Sequence, residues 1–116
     1  VTVTRADIAA ALSTVEGVTG SALEPPTKGA GQAWPVWRDS VTLNGCDAVT
    51  VNWYVYVVLP AGDLNAPADA ADPLVLPLSR ALHDTGLTVE RWEPWQLVIE
   101  PATNTTLPVL RYSAFD

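Results

Sequence analysis

Cysteine, histidine and basic charge are all scarce in this chain. Cys46 is its one cysteine, so no disulfide can close within the sequence. Its neighbours Asn44, Gly45, Asp47 and Ala48 supply no cation to stabilise a thiolate, which makes it a turn or strand-edge residue rather than a nucleophile. His83 is the one histidine, and one His with one Cys cannot furnish a zinc site. The basic residues are Arg5, Lys28, Arg38, Arg80, Arg91 and Arg111, spread along the chain against 13 acidic ones for a net charge of −7. A phosphate-binding surface needs clustered Lys and Arg, so neither a grip on nucleic acid nor one on an anionic membrane is expected. No apolar run approaches the ~18–20 residues of a membrane helix. The first residues are neither basic nor continuously apolar, so no signal peptide is expected and synthesis of a reduced, soluble protein in the cytoplasm is. Gly29 and Gly31 precede a strand rather than a helix, the wrong context for a phosphate loop. No cofactor or metal is expected.

What the chain has instead is apolar character, with 48% hydrophobic residues, five Trp and ten Pro in 116 residues. That length suits one domain, here 1–116. Its charged share, 16%, is below the roughly 25% usual for a globular domain, which points to surface that a partner covers.

The opening segment predicts a helix. Thr4 is placed to cap it, Asp7 completes a capping box, and Val3 with Ile8 forms a staple across its start. Ile8, Ala11, Leu12 and Val15 make the apolar face, and Gly17 supplies a stop. The opposite face, Ala9, Ala10, Ser13 and Thr14, is nearly uncharged: either a neighbour covers it or it is Ala-rich for helix propensity. Residues 19–32 hold Pro25, Pro26, Gly29 and Gly31 without periodicity and read as a long Pro-rich arm or loop. A strand is expected at 33–43, with Pro35 placing it at an edge or a bulge, and Asn44-Gly45 signals a hairpin turn. The next strand, 48–59, alternates most clearly: Val49, Val51, Trp53, Val55, Val57 and Leu59 share one face. At about 3.3 Å per residue it spans on the order of 40 Å, long enough to continue into a sheet shared with another chain. Asp72-Pro73 then reads as the start of a second helix with a Leu74, Leu78 and Leu82 stripe, Gly86 as its C-cap, and Pro77 as a kink or a later start. Strands at 87–93, 95–100 and 107–115, with a turn at Thr103-Asn104-Thr105, complete the pattern. The expected fold is α+β, a mixed or antiparallel sheet of about four to five strands packed with two helices.

Two carboxylates at a suitable spacing can form a hydrolytic pair. Asp69 and Asp72 suit helix capping, and Glu90 and Glu93, three apart on a strand, should face opposite sides. His83 in the last helical turn suits the helix dipole. No catalytic residue is therefore expected, and the chain reads as a non-enzyme. Trp is enriched where subunits meet. Of the pairs Trp34/Trp37 and Trp92/Trp95, one member each should face outward, while Trp53 belongs to the core face. The subunit-interface candidates are Ala10 on the first helix, Pro25, Pro26 and Lys28 on the arm, Trp34, Trp37 and Arg38 beside it, and Tyr54 and Tyr56 on the long strand.

Taken together, T-R-A-D-I-A-A-A-L at the start, the Pro-rich arm, G-Q-A-W-P-V-W-R at Gly31–Arg38, V-V-L-P at Val57–Pro60 and V-E-R-W-E-P at Val89–Pro94 resemble the tail terminator proteins of long-tailed phages of actinobacterial hosts. The resemblance covers most of the chain. It implies a structural virion protein of the tail and neck, a homo-oligomeric ring of six copies that caps the tail tube and stops its polymerisation. It also implies contacts with the tail tube protein and a head-tail connector protein, with genomic DNA passing through the lumen without specific binding. Six copies at −7 carry about −42 around that conduit, and like charge keeps DNA from sticking. The alternatives are another neck or head-completion ring protein and, from another class, a small ligand-binding or enzymatic α+β domain.

Overall fold

A computed structural model describes residues 3–43, 48–61 and 65–116; the Asn44-Gly45 turn and Cys46 lie outside them. The first helix, α1 (Arg5–Leu12), starts as its sequence dictates. The Asp7 amide donates to Thr4 Oγ1 at 3.2 Å and the Thr4 amide to Asp7 Oδ2 at 3.0 Å. The bond from the Thr4 amide above all, helped by the Thr4 side chain, holds the Asp7 carboxyl below its ordinary pKa. The helix ends at Leu12 rather than running toward Gly17. Successive turns then carry Val15 and Val18 into the core, and Gly17 takes a φ of 83°.

The 19–32 segment begins with a short strand. Its first residues form β1 (Thr19–Gly20), parallel to the start of β2 (Gln32–Leu43). Gly20 lies so close to α1 that a Cβ there would come 2.2 Å from the Ala9 carbonyl oxygen, and its amide donates to Ser13 Oγ at 2.9 Å. Part of the uncharged face of α1 is thus covered by the chain itself, while Ala10 stays exposed. β2 pairs antiparallel with β3 (Ala48–Val58), with a bulge between Trp37 and Asp39. Pro35 faces Val55 across that ladder, and its carbonyl accepts from Arg5 Nη1 at 3.1 Å. Its backbone therefore points to the edge, where the missing N–H costs no ladder bond.

The second helix, α2 (Ala66–Asp84), begins well before Asp72. Proline at its first positions, Pro67, has the φ a helix start needs. The Ala-rich stretch that follows has high helix propensity. Pro73 and Pro77 are interior and both exposed, so the carbonyls they leave without an amide partner lie toward water. Leu78 and Leu82 are fully buried and Leu74 partly; the C-cap is Thr85 rather than Gly86, which follows it with φ 103°.

The expected strands at 87–93 and 95–100 are one strand, β4 (Thr88–Glu100), continuous through Pro94. Among the described residues it pairs only with β5 (Thr105–Phe115), so Pro94 sits on an edge, and Asn104 at φ 54° completes the turn between them. The sheet order is β1-β2-β3-β5-β4. The fold is α+β, with two helices and a five-stranded mixed sheet. Trp53, Val55 and Val57 of β3 and Leu110, Tyr112 and Ala114 of β5 pack with Ile8, Leu12, Leu78 and Leu82 in the main core. Both helices therefore lie on one face of the sheet. Trp34, Val58 and Val109 form a smaller cluster on the other face.

Candidate functional site

The helix-free face carries a band of aromatic and charged side chains. Strand alternation brings Trp34 and Val36 of β2, Tyr54 and Tyr56 of β3, Arg111 and Ser113 of β5, and Glu93 and Trp95 of β4 to this side. Trp34 and Tyr56 rings lie 5.8 Å apart, and Tyr54 and Tyr56 6.2 Å apart. The Arg111 guanidinium lies 3.6 Å from the Trp95 ring centroid and 4.4 Å from that of Tyr54, and its Nε donates to Glu93 Oε1 at 3.0 Å. Arg111 is only 8% exposed, so its charge is balanced by one carboxylate and two π faces rather than by water. The Arg111 hydrogen bond holds the Glu93 carboxyl below its ordinary pKa, against the opposing effect of burial.

Arg38 lies 5.7 Å from the Tyr54 ring centroid and reaches Glu90 at 3.9 Å. Glu90 and Glu93 do not split between faces as simple alternation requires. A bulge between Val89 and Arg91 resets the period, and both acids meet cations on the helix-free side. Lys28 lies 6.0 Å from the Trp34 ring centroid and pairs with Glu24 at 2.9 Å, so residues 21–31 turn round the rim of β2 and cover Trp34.

The interface candidates separate accordingly. Trp34, at 1% exposure, belongs to the chain's own smaller cluster. Trp37 is 58% exposed on the helix-bearing face, with its ring 6.1 Å from Trp53 and 5.5 Å from the Arg5 guanidinium. Arg38, Tyr54 and Tyr56 share the band, Ala10 is exposed on α1, and Pro25 and Pro26 are half-buried and exposed respectively. Trp92 and Trp95 do face opposite sides, pairing with Tyr112 and Val109.

Sequence reasoning missed how much apolar surface gathers on β4. Trp92, Trp95, Val98 and Ile99 are all exposed there, whereas only Leu23, Trp37 and Leu76 are large exposed apolar residues elsewhere among those described. Their closeness to one another in a single strand was the available signal, hidden by splitting that strand at Pro94. Between β4 and the first turns of α2 runs a groove of about 580 Å³ lined by Trp92, Pro94, Ala68, Ala71, Leu59 and Leu110, among others.

Among the described residues no three His, Cys, Asp or Glu side chains are grouped to hold a metal, and no helix is long and apolar enough to cross a membrane. No protein-family model, curated protein or solved structure matches the chain.

Proposed function

We propose that this chain is the subunit of a homo-oligomeric ring in a phage virion, a tail terminator that caps the tail tube, stops its polymerisation and joins it to the filled head. The observation that carries the reading is β4, an edge strand with Trp92, Trp95, Val98 and Ile99 exposed along it. Long apolar edges are an aggregation hazard in a monomer and suit a chain whose edge is covered on assembly. The net charge of −7 suits a lumen through which DNA passes without being held. The sequence resemblance supplies the tail context. No chemistry is assigned to the subunit: its work is shape, adhesion and charge.

Negative-stain imaging of the concentrated protein, alone and mixed with purified tail tubes, tests the proposal. Rings, or tubes capped at one end and uniform in length, support it; monomers that leave tubes uncapped overturn it. Contact mapping in assembled particles separates the terminator from another neck ring, since a terminator must touch the last ring of the tube. The groove between α2 and β4 favours a second reading, a small-ligand domain. A low-molecular-weight apolar compound binding there with micromolar affinity, with no assembly at any concentration, would favour that reading instead.

A further inference from the structure

The geometry points to an edge-to-edge joint between copies, in which β4 of one subunit pairs with β2 of the next and one sheet runs through both. This specifies the contact that the ring reading leaves open, and rests on that reading.

The outward backbone groups of β4 follow from one hydrogen bond. The Leu59 amide donates to the Pro108 carbonyl at 2.9 Å, so at the Gln96–Pro108 pair the backbone of Pro108 faces β3. In an antiparallel ladder such pairs alternate, and residues that do not bond each other point away from each other. Gln96 therefore turns its amide and carbonyl to the open side, and so, at steps of two, do Trp92 and Val98. Pro94 turns only a carbonyl. The register is unbroken from Arg91 to Val98 and bulged on either side, which bounds the usable stretch.

The opposite rim of the sheet is also open, over a stretch whose register is regular from Asp39 to Leu43, beyond the bulge at Trp37/Asp39. β1 occupies β2 only at Gln32 and Ala33, and Arg5 occupies the Pro35 carbonyl. From Trp37 to Leu43 no strand lies on that side among the described residues.

Direction and face agree. The pairs β2/β3, β3/β5 and β5/β4 are antiparallel, so β2 and β4 run in opposite directions. A second copy displaced along the sheet without being turned over brings its β2 antiparallel to β4, with the helices of both copies on one side. Trp37 and Trp92, 58% and 45% exposed, both belong to the helix-bearing face, one at each rim of the joint. On the other face Arg38 at the β2 rim and Glu90 on β4 pair with each other within one chain at 3.9 Å, and Glu93 pairs with Arg111, so these groups come to the joint already matched. The two patches differ, making the contact heterologous, the kind that closes into a ring or runs on as a filament.

The test is Gln96→Pro, which removes one outward amide and no bond of the chain's own ladder. Sedimentation of the concentrated proteins should give multiples of 12.4 kDa for the wild type and a single-chain mass for the variant, with unchanged melting. Hydrogen exchange gives a second readout without mutation: the amides of Trp92, Gln96 and Val98 should become at least tenfold slower to exchange as the wild type associates. A variant that assembles as well as the wild type, with those amides unprotected in the assembly, overturns the joint and leaves the ring. A wild type that stays monomeric at every concentration overturns both. A monomer whose β4 amides are protected only by added tail tube protein gives the edge to that protein and overturns the joint.

Discussion

Arg111 is the residue whose environment is most constrained. A guanidinium 8% exposed between two aromatic rings depends on Glu93 for its counter-charge. Because the folded-state pKa of Glu93 is depressed, the stability it contributes is full above the ordinary carboxylate pKa and is lost as pH falls through the lower folded value. Glu93→Gln should lower the melting temperature at neutral pH and reduce its fall between about pH 5 and pH 3, as measured by thermal melts across that range. Trp53 and Trp37 touch each other but differ in burial, 2% against 58% exposed. Trp53→Ala should cost about 3–5 kcal/mol as a core truncation. Trp37→Ala should cost only about 1 kcal/mol in the isolated chain, the worth of an aromatic contact. Denaturant titration of both variants measures the difference. Residues of this kind were partly legible: the β3 alternation places Trp53 in the core, but nothing local announces Arg111, whose partners Glu93, Trp95 and Tyr54 come from two other strands.

At the scale of elements, local rules read well where local physics decides. The Thr4–Asp7 box defines α1 because its hydrogen bonds span three residues. α2 and β4 depart from what their sequences suggest for one shared reason, proline. A proline breaks an element only if the amide it lacks was needed, and that depends on which side of the helix or sheet faces water. Pro73 and Pro77 sit on the exposed side of α2, and Pro94 on the open edge of β4, facts fixed by packing rather than by neighbours in sequence. The helix still forgoes two hydrogen bonds. Replacing Pro73 and Pro77 together by Ala should therefore stabilise the chain by about 4–5 kcal/mol, the gain in helix propensity less the greater freedom of the unfolded chain. Chemical denaturation with the slope held common is the check. Residues 22–30 are the return path that lets β1 run parallel to β2. Deleting them should unseat β1, uncover Trp34 and appear as a lower melting temperature with red-shifted Trp fluorescence.

For the whole molecule, the α+β class was legible because two helical periods and several two-residue periods are all it requires. The apolar edge was not, since an edge exists only once strand order is known. Copies of charge −7 repel one another, so self-association should strengthen as salt rises from about 10 mM to 150 mM and screening shortens the Debye length from about 30 Å to 8 Å. Sedimentation across that range measures it, and weakening with salt would mean that ion pairs dominate the contact. Strand order carries a further consequence, one of timing. β5 follows β4 in the chain yet lies between β3 and β4 in the sheet. Until β5 emerges from the ribosome, β3 has one neighbour and β4 has none. The nascent chain therefore presents the strand that carries Trp92, Trp95, Val98 and Ile99 bare on both edges, and the last strand into the sheet is the one that closes it.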